Sequence, residues 1–397
     1  MAELKRALGF WTILSLSIAS IMGTGMFFGA GIGARYSGNT SILSWVILSF
    51  VAVYISMFFS ELVSMFPKAG GVYEFSKQAY SRFTSFIMGW LAWIVGNLTT
   101  ALLIVAAIDY LIPDPSQFVL KLAISITLII VLNAIAFFGI ESSGIVVVVL
   151  AALSMGMILS VIFPGVFIME ISNLMPFFNY GIAPILVTIF FIAEAFYGWE
   201  SATYLSEETK NPEKTIPKAL IYGTIIVGIL ATLISLVSLG IVPFQILIAT
   251  TTPLSIVFER IYGALGNLLN YGVFIALIGS AAGGIITMPR LILALARDKL
   301  FIAQLSDIHP IFKTPHKAII FQTIISLIIF GMAFGRYRTL LSLLLPLGLI
   351  MYIFIIMIVP ILRHKYPNTP RSFKVPFGRI GAYLLVGFLF SLMALWI

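Results

Sequence analysis

The stretch I-F-F-I-A-E-A-F-Y-G-W-E-S-A-T-Y-L-S-E-E-T-K-N-P-E-K-T-I-P-K-A-L, residues Ile189–Leu220, decides how this chain is read. It begins as an apolar segment of the kind that crosses a bilayer. It is then interrupted by Glu194, Tyr197, Gly198 and Glu200, and it ends in a charged loop. A charged side chain at the centre of a membrane helix costs at least about 2.5–3.5 kcal/mol on insertion scales. Two carboxylates and a glycine in such a segment therefore need a reason. A helix broken around Phe196–Gly198 exposes backbone carbonyls, and these are tolerated at membrane depth only where they line a cavity or a binding site. Such breaks near the bilayer midplane mark the substrate sites of transporters.

A partner lies near the N-terminus. Ser20–Gly31 reads S-I-M-G-T-G-M-F-F-G-A-G inside the first apolar segment, with Gly23 and Gly25 flanking Thr24. Two interrupted helices, one opening each half of the chain, are the pattern of an inverted-repeat transporter.

Composition sets the solvent. The chain has 397 residues, 60% hydrophobic and only 10% charged, with a mean hydropathy of +1.11. Soluble domains carry about a quarter charged residues, so this is an all-α polytopic membrane protein. It has no cysteine, which excludes a disulfide framework and thiolate metal sites. His309, His316 and His364 all fall in polar stretches, so neither a histidine metal site nor a catalytic cluster is expected. The net charge of +8 fits cytoplasmic loops facing anionic lipid better than nucleic acid.

About eleven spans fit, at 10–36, 41–66, 83–112, 117–137, 142–168, 183–206, 216–241, 266–297, 317–334, 339–362 and 379–397. Each can cross a hydrocarbon core of about 30 Å at about 1.5 Å per residue. Placing the N-terminus in the cytoplasm puts 18 lysines and arginines inside and five outside (Arg35, Lys121, Arg260, Arg336 and Arg338), as the positive-inside rule asks. The basic N-terminal start is too long in its apolar run for a cleaved signal, so the first span is expected to be retained. Trp11, Trp45, Trp90 and Trp396 fall near span ends, where interfacial anchors sit. The segment Val242–Leu265 contains apolar runs that suggest short helices covering an entrance on the outer side.

The residues resemble the amino acid–polyamine–organocation family of secondary transporters, over nearly the whole chain. The resemblance rests on G-T-G at Gly23–Gly25, P-K-A-G-G-V-Y at Pro67–Tyr73 and E-E-T-K-N-P-E-K-T-I-P-K-A at Glu207–Ala219. P-R-L-I-L-A-L-A-R-D at Pro289–Asp298 and R-H-K-Y-P-N-T-P-R-S-F-K-V-P at Arg363–Pro376 add to it. The resemblance implies the fold first seen in the leucine transporter: two inverted five-helix repeats with helices 1 and 6 discontinuous at the substrate. On this chain the repeats would be about 10–168 and 183–362, with an extra span at about 379–397, all in one transmembrane domain. Relatives often have twelve spans, one more than this chain.

What it implies is an amino acid or amine permease of the cell membrane, working by alternating access as symporter or antiporter. An amino acid presents a carboxylate and an ammonium. The second half of helix 1 offers unpaired N–H groups and a positive dipole end, so Gly23, Thr24, Gly25 and Met26 can hold the carboxylate. Freed carbonyls around Ile192, Ala193, Glu194 and Phe196, at a break made by Gly198, can accept from the ammonium. The plainer alternative is that Gly23 and Gly25 only let helices pack.

Four further residues are carried over from the resemblance. Glu194 falls where relatives similar to the arginine/agmatine antiporter carry an aromatic gate. It can neutralise a cationic group, carry a proton, or simply face water or a helix terminus. Phe190, Phe191 and Phe196 can supply the missing lid. Glu200 matches a glutamate of those antiporters, and Asn97 a helix 3 position that reaches the substrate; structural pairing is the alternative for both. Ser154 aligns where proton-coupled relatives carry a lysine. With Ser280 it leaves proton, sodium or exchange coupling open, while either serine can instead bond to its own helix. Glu61, Glu74, Glu207 and Glu208 lie where inner-gate ion pairs or solvated loop charges are equally expected.

No phosphate-binding G-x-x-x-x-G-K-[ST] sequence is present, so no nucleotide drive and no cofactor beyond a coupling ion is expected. The rival readings are a channel or a membrane ligand sensor on the same fold, and an enzyme. Oligomeric state stays open, a homodimer included.

Overall fold

The computed structural model describes residues 4–114, 116–178, 180–333 and 336–395. Among these it contains sixteen α-helices and no strand beyond an isolated bridge between Leu8 and Thr209. In chain order they are α1 (Phe10–Ile21), α2 (Gly25–Ser37), α3 (Ser41–Met65), α4 (Val72–Ala79), α5 (Arg82–Leu111), α6 (Phe118–Phe137), α7 (Ile140–Ile168) and α8 (Pro184–Ile192). There follow α9 (Trp199–Tyr204), α10 (Pro212–Ile241), α11 (Phe244–Ala249), α12 (Pro253–Tyr262), α13 (Leu269–Arg297), α14 (His316–Ala333), α15 (Tyr337–Lys365) and α16 (Gly378–Ala394).

Eight helical stretches of the described residues are long and apolar enough to cross a membrane, and His316–Met332 and Gly378–Ala394 are shorter apolar helices. One of the eight, Phe10–Met65, runs for 56 residues and includes α1, α2 and α3. The protein is thus a multi-pass membrane protein.

Both expected interruptions are present. α1 ends at Ile21 and α2 begins at Gly25, because Met22 leaves the helical region at φ −72°, ψ 74°. α8 tightens into a single 3₁₀ turn over Ala193–Phe196, Tyr197 is extended at ψ 139°, and α9 restarts after Gly198. Gly198 sits at φ +134°, a conformation that a β-carbon disfavours. A β-carbon there would also collide with the carbonyl oxygen of Ser20. The second break therefore lies directly on the end of α1.

Packing sorts the long helices into two groups. α10 packs against α3 and α1, and α13 packs against α5 and α7, with α14 on α6. The broken helices run between them, α1 touching both α10 and α13.

Two local readings change, the start of α10 and the role of Trp45, and one is met. α10 starts at Pro212 rather than near residue 216, since proline at the first turn has no N–H to waste and a preset φ. The Val242–Leu265 segment does hold two short helices, α11 and α12. Trp11 is exposed, but Trp45 is fully buried with its indole edge over Gly29, and so it is a packing residue rather than an interfacial anchor. Trp90 sits in an aromatic cluster with Phe86, Trp93 and Phe301; Trp396 lies outside the described residues.

Candidate functional site

The two breaks meet through Glu194. Its side chain is 1% exposed and reaches the N-terminus of α2. Thr24 N–H donates to Oε1 at 3.1 Å, Gly25 N–H donates to Oε2 at 3.1 Å, and the Thr24 hydroxyl donates to Oε2 at 2.7 Å. The Tyr337 hydroxyl lies 3.0 Å from Thr24 Oγ1. With the Thr24 proton committed to Glu194, the Tyr337 hydroxyl is the donor, which makes a relay Tyr337 to Thr24 to Glu194. A carboxylate at a helix N-terminus is stabilised by the unpaired N–H groups and the positive dipole end. Of the three roles open to Glu194, the helix-terminus role is therefore the one its bonds display.

The glycines of G-T-G have their reason here. A β-carbon on Gly23 would stand 2.6 Å from Glu194 Oε1 and 2.7 Å from the Glu194 carbonyl oxygen, and one on Gly25 would strike the β-carbon of Ala195. The room these glycines leave is filled by the chain of the second break. Every N–H of this turn has an internal acceptor: Gly23 donates to Ile21 O at 2.8 Å, Met26 to Gly23 O at 3.3 Å, and Phe27 to Thr24 O at 2.9 Å. Counted in full, the donors expected for a ligand's carboxylate are occupied.

Around the second break, Glu200 is buried and accepts from the Tyr352 hydroxyl at 3.1 Å, while Gly198 N–H donates to the same hydroxyl at 3.3 Å. Tyr197 donates to Leu345 O at 2.9 Å, so α15 braces this break from both sides. Ile192, Ala193 and Phe196 are buried within the turn. Phe191 instead stacks on Tyr36, with ring centroids 4.3 Å apart and planes 4° from parallel.

Of the other expected residues, Asn97 and Ser154 lie elsewhere. Asn97 Nδ2 donates to Trp93 O, and its Oδ1 accepts from Gln322 at 2.6 Å and from Ser326 at 3.4 Å, so it belongs to a polar network between α5 and α14. Ser154 bonds to Leu150 O of its own helix at 2.8 Å. Ser280 reaches the first break, donating to Met22 O at 2.7 Å, which caps a carbonyl freed by the end of α1. Sequence reading missed Tyr337, Tyr352 and Gln322. They are tyrosines and a glutamine in apolar helices, a polar signal too common to single out.

A cavity of about 630 Å³ opens at the end of the molecule carrying Arg35 and Arg338. Its walls include Phe28, Phe191, Tyr337 and the α11–α12 residues Leu247 and Pro253. Phe28 and Tyr337 stack at 5.1 Å, and Tyr337 reaches Thr24 behind them, so this pair forms the cavity floor above Glu194.

The opposite, lysine-rich end is closed by ion pairs. Glu208 and Arg290 form a bidentate pair at 2.9 Å with both side chains 0% exposed. Glu61 accepts from Arg363 at 2.9 and 2.5 Å and from Val375 N–H at 2.8 Å, and it is ion-paired with Arg371 at 3.3 Å. Glu207 pairs with Arg297 at 2.8 Å and accepts from Ala69 N–H. Lys77 binds Asp298 at 2.6 Å and Glu74 at 3.5 Å. Asp298 also accepts from the Tyr73 hydroxyl; burial pushes its carboxyl up, but the bonds from Lys77 and Tyr73 outweigh this and leave it below the usual carboxylate value. The N-terminal segment adds backbone bonds, with Ala7 and Leu8 N–H on Glu208 O and Lys210 N–H on Leu8 O.

The chain is similar to known proteins over nearly its whole length. A family model described as "Amino acid permease" matches residues 8–397. A branched-chain amino acid permease of Bacillus subtilis (strain 168) is 25% identical, covering 94% of this chain and 84% of its own length. A serine/threonine exchanger of the same organism is 27% identical, with coverages of 94% and 87%. A methylthioribose transporter, also of that organism, is 25% identical, with coverages of 98% and 89%.

Proposed function

The chain belongs to the amino acid permease family, and from that premise we propose that it is a carrier moving an amino acid or a related amine by alternating access. The observation that carries this is the meeting of two broken helices inside the membrane. Irregular backbone at that depth is kept where it serves a ligand site, and here a cavity ends one lid away from it.

The supporting pattern is a whole one. Eleven spans, of which 10–168 and 183–362 form inverted repeats, would place α1, α2, α3, α8, α9 and α10 in a moving bundle. α5, α6, α13 and α14 would form the scaffold against which it rocks. The charge asymmetry favours a cytoplasmic N-terminus and a cell-membrane setting, with the ion-paired end inside and the cavity outside. The site works by binding and movement rather than by catalysis. Drive comes from a proton, from sodium or from exchange. Neither a homodimer nor a nucleic-acid partner enters the mechanism.

The names of the relatives differ in cargo: branched-chain amino acids, serine with threonine, and methylthioribose. The scaffold alone thus does not choose the ligand. The test is uptake of labelled amino acids and amines into proteoliposomes at symmetric pH, with and without unlabelled ligand inside. Uptake requiring internal ligand identifies an exchanger, and uptake without it net transport. Binding without uptake under either condition refutes the carrier and favours a sensor; flux far above a carrier's, with no counterflow, favours a channel.

A further inference from the structure

We propose that Glu194 is a built-in replacement for a ligand's carboxylate, and that the site takes organic amines lacking an α-carboxylate. This rests on the transport reading above and narrows its substrate.

The first observation is the filled N-terminus of α2. Both oxygens of Glu194 are held there by two N–H groups and a hydroxyl, and the remaining N–H groups of the turn bond within the chain. An entering carboxylate finds no donor. It also meets the oxygens of a buried carboxylate, which are acceptors like its own and offer it no proton in the bonds they make. The glycines that would admit it are packed against Glu194 and Ala195.

The second observation is charge balance. Every other buried carboxylate among the described residues has a protein cation: Glu61 has Arg363 and Arg371, Glu74 has Lys77, and Glu208 has Arg290. Among the described residues, Glu194 and Glu200 alone of the buried carboxylates have no lysine, arginine or histidine partner, and both flank the second break. Buried charges are ordinarily paired. A cationic ligand that comes from the cavity as Phe28 and Tyr337 part supplies the missing partner, and the ring faces of that floor meet its ammonium on the way in. The arginines of the rim, Arg35 and Arg338, oppose this only weakly. Both are exposed, and exposed charges are screened over about 10 Å at ordinary salt.

The test compares matched pairs on the full-length protein in nanodiscs: arginine with agmatine, lysine with cadaverine, and valine with valinamide and isobutylamine. Thermal stabilisation reads binding, and the same compounds are then tested for uptake. The expected result is that members without the carboxylate bind and their parent amino acids do not. Glu194→Gln, which keeps the shape but not the charge, should weaken amine binding by about tenfold or more. Glu194→Ala, which vacates the helix terminus, should gain binding of the parent amino acids. Wild-type binding that requires the α-carboxylate overturns the inference, as does failure of both classes to bind wild type and Glu194→Ala alike. The two readings fail separately: amine binding without uptake refutes transport and leaves this inference standing, whereas carboxylate-dependent amino acid uptake does the reverse.

Discussion

Arg290→Ala should open the lysine-rich end of the protein. Arg290 and Glu208 are both fully buried and bind through two 2.9 Å hydrogen bonds, and Arg290 also donates to Ile286 O at 2.5 Å. Removing one partner of such a pair leaves an uncompensated buried charge, at a cost of about 3–5 kcal/mol. Glu208 lies in the link after α9 and Arg290 on α13, so water reaches the carboxylate only if the two helices part. The cost falls on the closed arrangement alone. At about 1.4 kcal/mol per decade, the opening equilibrium should shift by about two to three and a half orders of magnitude, roughly 10²-fold to a few thousand-fold. The chain has no cysteine, so Ser206→Cys gives a single thiol at a buried position beside Glu208. Its maleimide labelling rate should rise by roughly two orders of magnitude or more in the Arg290→Ala background. Glu208→Leu with Arg290→Met, which removes both charges, should label more slowly than either single variant. Equal labelling in wild type and Arg290→Ala, or strictly additive effects in the cycle, would refute the reasoning.

Three further outcomes follow from the same contacts. Gly198→Ala forces a β-carbon onto Ser20 O at φ +134°. It should destabilise by about 1–3 kcal/mol, read as a lower melting temperature in detergent, and an unchanged value would contradict the close approach. Tyr337→Phe removes the hydroxyl on Thr24 and should loosen the cavity floor by about 0.5–1.5 kcal/mol, so ligand association should quicken several-fold with little change in fold stability. The Asp298 carboxyl lies below its ordinary value of about 3.9. Its stabilising contribution should therefore be complete at neutral pH and at pH 5, and be lost as pH falls through the depressed folded value. Asp298→Asn should flatten that acid limb in a melting-temperature profile, and a limb of unchanged steepness would remove Asp298 from the account.

The sequence was most legible where the signal is local. Long apolar runs located the helices, and the lysines and arginines between them located their ends. Glu194, Gly198 and the Gly23–Gly25 stretch located both breaks, because a charge or a glycine inside hydrocarbon is costly wherever it occurs. The use made of those breaks was not legible. Thr24 and Glu194 are 170 positions apart in the chain, Glu61 and Arg363 are 302 apart, and Met22 and Ser280 are 258 apart. Nothing within a helical turn of Glu194 says that it will cap α2 instead of facing a ligand. Asn97 shows the same limit. Its residue type required a partner, but that the partner is Gln322 on α14 depends on how two distant helices are laid side by side.

The two ends of the molecule are fastened by different physics, and this bears on how a carrier can cycle. At the cavity end the closure over Glu194 consists of one stacked ring pair and one hydroxyl contact, about a kilocalorie each. At the lysine-rich end it consists of ion pairs, including those around the three buried glutamates Glu61, Glu74 and Glu208. An intact buried pair is a more even balance than its geometry suggests, because its attraction is offset by the dehydration of both partners. Opening rehydrates both charges together, so the complete pair can part and re-form at modest cost, while a pair missing one member can no longer close. Such a fastening is reversible only when whole. A ligand can shift the balance between the two ends only by binding one arrangement better than the other. That difference is best supplied at Glu194, the one carboxylate that touches both breaks and has no cation of its own among the described residues.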